Sequence, residues 1–189
     1  MRSKINAVLA AVPLLCLGTV GADAAQAKPA SAPCTGVNAS PNSFNAASID
    51  TATLCLIDQE RAAYRLHPLR VNSELHALAS SQVRHMLSWD YFTDDRPPGL
   101  TPMALIASTR YPSHAKSLSI GQNIGWGTGG YSTPASMVAA WMASPPHRRI
   151  ILTGEYTEAG VGVLPAVPSV LEQGHSGATY AIEFGARRY

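Results

Sequence analysis

The stretch SIGQNIGWGTGG, residues 119–130, decides between two fold classes. Its Gly125, Gly127 and Gly130 satisfy G-x-G-x-x-G, the turn that lets a backbone approach the pyrophosphate of a dinucleotide. That motif works only after a buried strand, at the start of a helix, with an acidic residue about 20 positions on to hold the ribose. Here SLSIGQNI reads as a poor strand, no βαβ unit surrounds it, and the next acid is Glu155. A doubly wound nucleotide fold is therefore rejected. The stretch reads instead as the end of an irregular region from Thr93 to Gly130, rich in Pro, Gly, Ser and Thr. Long irregular segments inside a domain are usually functional loops or mobile ones, so this one is expected to be a loop beside a site.

Upstream of it the chain is helical. Asn72 is an N-cap with Glu74 in the first turn, and Leu75, Leu78, Ala79, Val83, Met86 and Leu87 then recur at helical spacing. Before that, Asp50 is placed to cap a helix through TATLCLIDQERAAYRL, with Leu54, Ile57 and Tyr64 on its inner face and His67-Pro68 ending it. A short helix is predicted around Met103 to Ser108. Downstream, Thr133-Pro134 starts a helix that buries Met137, Val138 and Trp141, and Ser144-Pro145-Pro146 stops it. The segment HRRIIL then leads towards a strand. GVGVLPAV and ATYAIEFGA read as two strands, with Tyr180, Ile182 and Phe184 alternating against Ala181 and Glu183 and PSVLEQGHSG as the hairpin loop. Helices first and strands last make an α+β fold.

The N-terminus has the layout of a secretory signal peptide: Arg2 and Lys4, an apolar run from Ala7 to Val20, then A-x-A sites. Cleavage after Ala27 is preferred, with Ala22-Asp23-Ala24 as the alternative. The apolar run is too short for a membrane span, and no later stretch approaches one. Cys16 follows Leu15, where a lipidation site needs a small residue. The expected organisation is a signal peptide at 1–27, a flexible linker-like arm at 28–49 and one domain at 50–189, secreted to the cell envelope or beyond. The chain without its leader is near neutral, with basic doublets only at Arg148-Arg149 and Arg187-Arg188. Nucleic acid is excluded as a partner, because a phosphate-binding surface needs clustered Lys and Arg. Cys34 and Cys55 remain, and an exported pair reads as one disulfide, two free buried thiols being the alternative.

Candidate chemistry is sparse. The six His residues form no H-E-x-x-H and no i, i+4 pair, and G-x-S-x-G is absent. His85 borders an apolar stripe, while His147 stands out on a corner directly after Pro145-Pro146.

Six ordered blocks, LCLIDQERAAYRLHPLRVNSEL, DYFTDD with PPGLTP, IGQNIGWG, AAWMASPPHRRIIL, YTEAGVGV and YAIEFG, together resemble the secreted CAP superfamily of cysteine-rich secretory, antigen 5 and pathogenesis-related 1 proteins, in its bacterial single-domain branch. The resemblance covers about Ala52 to Gly185. It implies a three-layer α-β-α sandwich whose cleft often holds two His and two Glu able to bind a divalent metal. Carried over residue by residue, the first His falls on Asp94, the first Glu on Gln122 and the second Glu near Ser144. Only the second His is kept, as His147. An amide is a weak ligand and exchanges no proton, so no cofactor is expected beyond weak divalent-metal binding at His147. Gln122 is expected to hydrogen-bond neighbouring backbone, and Asn123 to bond its own loop. The function expected from the resemblance is binding, through a cleft bearing Asp94, Gln122, Asn123, Ser144 and His147, of a lipid, a cell-wall polymer or a protein. The rivals are a hydrolase using Asp94 and His147, with or without metal, and a purely structural envelope protein.

Overall fold

Three helix starts are written in single side chains. In the computed structural model, which describes residues 33–171 and 176–189, Asn72 accepts hydrogen bonds from the N–H groups of Glu74 and Leu75 at 3.0 and 3.1 Å. Thr101 and Thr133 cap in the same way, each followed by proline at the first helical position. The chain order is α1 (Ala46–Ala63), β1 (Arg70–Val71), α2 (Ser73–Ser88), α3 (Pro102–Ala107), β2 (Ser117–Thr128), α4 (Pro134–Ala143), α5 (Pro145–Ile151), β3 (Glu158–Leu164) and β4 (Gly177–Arg188). The expected leader lies outside the described residues.

The strands form a mixed sheet in the order β1-β3-β4-β2. β1 runs parallel to β3, and β4 is antiparallel to both its neighbours. Alternation along β4 sorts the two faces. Tyr180, Ile182 and Phe184 meet Ile49 and Ile57 of α1, Met137 and Trp141 of α4 and Ile151 of α5. On the other face Ala181 meets Ala79, Val83 and Met86 of α2. Helices thus cover both faces of the sheet, giving the three-layer α-β-α sandwich of an α+β fold. Close approach is built in at Gly160, where a Cβ would collide with the backbone of α2 at His76.

Several expected elements differ. Residues 119–130 are not a loop: Ser117 to Thr128 form a strand paired with β4 from Ser117↔Arg188 to Thr128↔Gly177. Its glycines are sites of close packing, since a Cβ at Gly125 would strike Met137 Sδ of α4. Of HRRIIL, His147 to Ile151 are helical, within α5, with Leu152 as its C-cap, and Ser144 is both the last cap of α4 and the first of α5. Helix α1 starts at Ala46, so Asp50 lies inside it rather than capping it. Tyr64 is exposed.

The buried residue on that end of α1 is Arg61, whose guanidinium donates to the carbonyls of His67, Ile151, Thr153 and Tyr156 at 2.7–3.0 Å. These bonds tie α1 to the C-terminal end of α5 and so fix the helix that carries His147. Cys34 and Cys55 are joined in a disulfide, closing a separation of 21 residues. A loop of that size stabilises the fold by about 3 kcal/mol. The segment it anchors is also held by a hydrogen bond from Ala135 N–H to Val37 O at 2.9 Å. Among the described residues no helix is long and apolar enough to cross a membrane.

Candidate functional site

β2 is an edge of the sheet, so one side of it has no partner strand. The segment after α2 approaches that edge from one layer, and α4 with α5 from the other. Between them lies an open cleft of about 600 Å³, whose walls include Phe92, Asp94, Trp126, Trp141, Ser144 and His147. Trp141 is fixed by its indole N–H, which donates to Ile124 O of β2 at 2.9 Å. The cleft thus joins an aromatic wall to a polar corner.

The structure brings three of the five sequence candidates together. Asp94, Ser144 and His147 line the cleft, whereas Gln122 and Asn123 are buried in β2 and are not among its lining residues. Adjacent strand residues point to opposite faces, and these two do so. Asn123 donates to His147 O at 3.1 Å, so it anchors α5 and does not bond a loop of its own. Gln122 turns to the α2 side and donates to Glu183 Oε1 at 2.5 Å across the paired strands. Its partner is therefore a side chain, not neighbouring backbone.

His147 Nδ1 lies 2.8 Å from Ser144 Oγ, a contact made natural by three-residue spacing at the start of α5. Asp94 sits on the rim. Partial desolvation raises its carboxyl above the ordinary carboxylate range, against the pull of nearby His147 and with a further push from Asp95.

Glu183 is the group that sequence reasoning missed. Only 1% exposed, its carboxyl is pushed up to about 8 by burial, which outweighs the hydrogen bond from Gln122; Asp94 adds to the rise and Arg96 opposes it. Its Oε2 and the Oε1 of Gln122 are both buried with no hydrogen-bond partner. A signal for it existed: Glu183 stands between Ile182 and Phe184, in the middle of the apolar run YAIEFGA. In a central strand with both faces covered, that position has to be internal.

A divalent metal does not suit these residues. The cleft offers one imidazole, the carboxylates of the neighbouring residues Asp94 and Asp95 and neutral oxygens, while Gln122 does not line it and its amide oxygen is a weak ligand. Among the described residues, no group of three or more His, Cys, Asp or Glu side chains is placed to hold a metal ion.

Residues 54–167 match the family model of the Cysteine-rich secretory protein family, CAP. The chain belongs to the CAP family. This CAP domain is similar to YkwD of Bacillus subtilis (strain 168), with 29% identity over 109 residues, 57% of this chain and 39% of that protein. The chain thus spans about two fifths of that relative's length. In structure it is similar to an extracellular protein containing an SCP domain from Bacillus anthracis str. Ames, at TM-score 0.57 and 19% identity over 79% of this chain and 45% of that one. It is also similar to an outer surface protein from Borrelia burgdorferi, at TM-score 0.55 and 18% identity over 71% of this chain and 90% of that one. At these identities the likeness is one of fold, the CAP sandwich.

Proposed function

We propose that this is a secreted CAP domain that binds a ligand of the cell envelope or its surroundings in the cleft beside β2, without catalysing a reaction on it. The observation that carries this is the separation of chemistry from access. The strongly perturbed carboxyl, Glu183, is sealed behind β2, and the cleft itself presents aromatic walls with Asp94, Ser144 and His147 at one corner. Such a mixture of apolar wall and a few convergent polar groups is what a small-molecule site requires. Secretion is supported by the leader-like N-terminus and by the Cys34–Cys55 disulfide, which persists in an oxidising compartment. The relatives described as extracellular or outer-surface proteins agree with it.

One observation favours a second reading, a hydrolase that uses Asp94 and His147 without metal: the two groups share the cleft, and His147 favours the carboxylate form of Asp94. A panel of lipids and glycans, assayed for binding and for turnover with wild type and His147→Ala, decides between them. Binding to one class, weakened about tenfold in the variant and with no product formed, is the expected result. Turnover that Asp94→Asn abolishes would establish the hydrolase instead.

A further inference from the structure

We infer that the cleft continues into a second depression and that the two together hold a linear, uncharged polysaccharide strand of two or more sugar rings. This rests on the reading of the cleft as a ligand site and goes beyond it in naming the ligand. The second depression, about 320 Å³ between β2 and α4, shares Trp126, Met137 and Ala140 with the first and extends past them to Tyr131. Two adjoining hollows along one strand edge suit a repeating ligand better than a single compact one.

The chemistry of the walls selects the class. A sugar ring has apolar C–H faces and a rim of hydroxyls, so it needs flat aromatic surfaces alternating with hydrogen-bonding groups. Phe92, Trp126 and Tyr131 supply aromatic surfaces in the two hollows, and Asp94, Ser144 and His147 supply polar groups in the first. Tyr131 is 79% exposed. Its backbone is nonetheless fixed, because the short turn at Gly129–Ser132 is held by Tyr180 Oη donating to Ser132 O at 2.6 Å. On a held backbone the ring has only two side-chain torsions to order, so it binds with a modest ordering cost.

Other ligands meet specific penalties. A hydrocarbon chain in this groove would strip water from Asp94, Asp95, Ser144 and His147 and give back no hydrogen bonds. A polyanion would face the carboxylates of Asp94 and Asp95, and among the described residues no Lys or Arg lines either hollow. An uncharged glycan escapes both.

Calorimetric titration of the purified full chain with cello- and chito-oligosaccharides of two and five rings tests this, with palmitate and heparin as the lipid and polyanion probes. The five-ring sugars of one series should bind about tenfold tighter than the two-ring ones, and Tyr131→Ala should reduce that ratio to about one. Equal affinity for both lengths in wild type overturns the extended groove. Binding of palmitate or heparin alone, abolished by His147→Ala, overturns the sugar assignment and leaves the ligand site standing. No binding by any probe overturns both.

Discussion

Glu158 and Glu183 sit two register rows apart on neighbouring strands, Glu158 opposite Gly185 and Glu183 opposite Gly160. Both are buried, and they behave in opposite ways. Burial alone would raise the Glu158 carboxyl, but hydrogen bonds from Arg187, Tyr111 and Asn72 outweigh it and hold the group below its ordinary value. Tyr111 donates at 2.8 Å, Arg187 at 3.0 and 3.2 Å and Asn72 at 3.3 Å, so both oxygens are occupied. Glu183 receives one bond, from Gln122, and its other oxygen has none. Burial does not decide the charge of a carboxyl; the number of donors brought to it does. The sheet therefore has an anchored end, where charge is fully paired, and a poised end behind the cleft, where it is not.

The comparison breaks most visibly at the anchored end. Glu158→Gln leaves the Arg187 guanidinium without its carboxylate and the Tyr111 hydroxyl with a poorer acceptor. A loss of about 3 kcal/mol is expected in urea unfolding at pH 7, the low end for a broken buried pair because Arg187 is partly exposed. The same change at Glu183 replaces a neutral acid by a neutral amide of equal shape and should cost under about 1 kcal/mol at pH 5. Equal losses at the two positions would mean that the contrast between them is only apparent.

The poised end is sharpened by pH. The folded-state value of Glu183, about 8, lies above its ordinary value of 4.5. Its contribution to stability is then fully present below about pH 4.5 and is lost as pH rises through about 8. Protonation also turns Oε2 into a donor, while Gln122 Oε1 remains an acceptor on the partner side chain. Asp50, pushed up to about 7 by burial against the pull of His76, contributes with the same sign but is common to wild type and variant. The stability gap between Glu183→Gln and wild type should thus move in the variant's favour by a few kcal/mol between pH 5 and pH 9. A gap that stays constant would show that Glu183 is ionised throughout.

The helices are legible in the sequence because their signals are local. Asn72, Thr101 and Thr133 announce themselves in one residue each, and the apolar stripe of α2 recurs along its whole length. Strand β4 is legible through alternation, although the partner of Glu183 is not, since that pairing joins residues 61 positions apart. Strand β2 reads as a loop for a physical reason. Its glycines look like loop punctuation, yet Gly127 is dictated by the Tyr131 backbone in the turn after the strand, which a Cβ would strike. The same holds at Pro145-Pro146, which end α4 and also fill the first turn of α5. Asp94 and His147 can be placed at a cleft from the order of family blocks. Which of Gln122 and Asn123 faces which layer requires the strand itself.

The smallest expected effect is at Ser144, and it separates the two ends of the comparison most finely. No backbone N–H of α5 relies on the Ser144 hydroxyl, so Ser144→Ala should leave stability within about 0.5 kcal/mol of wild type. What changes is the partner of His147 Nδ1, now 2.8 Å from that hydroxyl. A neutral imidazole takes the tautomer that its hydrogen bonds select, so removing one partner should shift the ring nitrogen resonances of His147 in a long-range ¹⁵N spectrum. Unmoved resonances would mean that Ser144 only caps the corner between α4 and α5. Moved resonances with unchanged stability would mark a contact that serves the cleft and not the fold, the converse of Glu158, whose bonds serve the fold and which does not line this cleft.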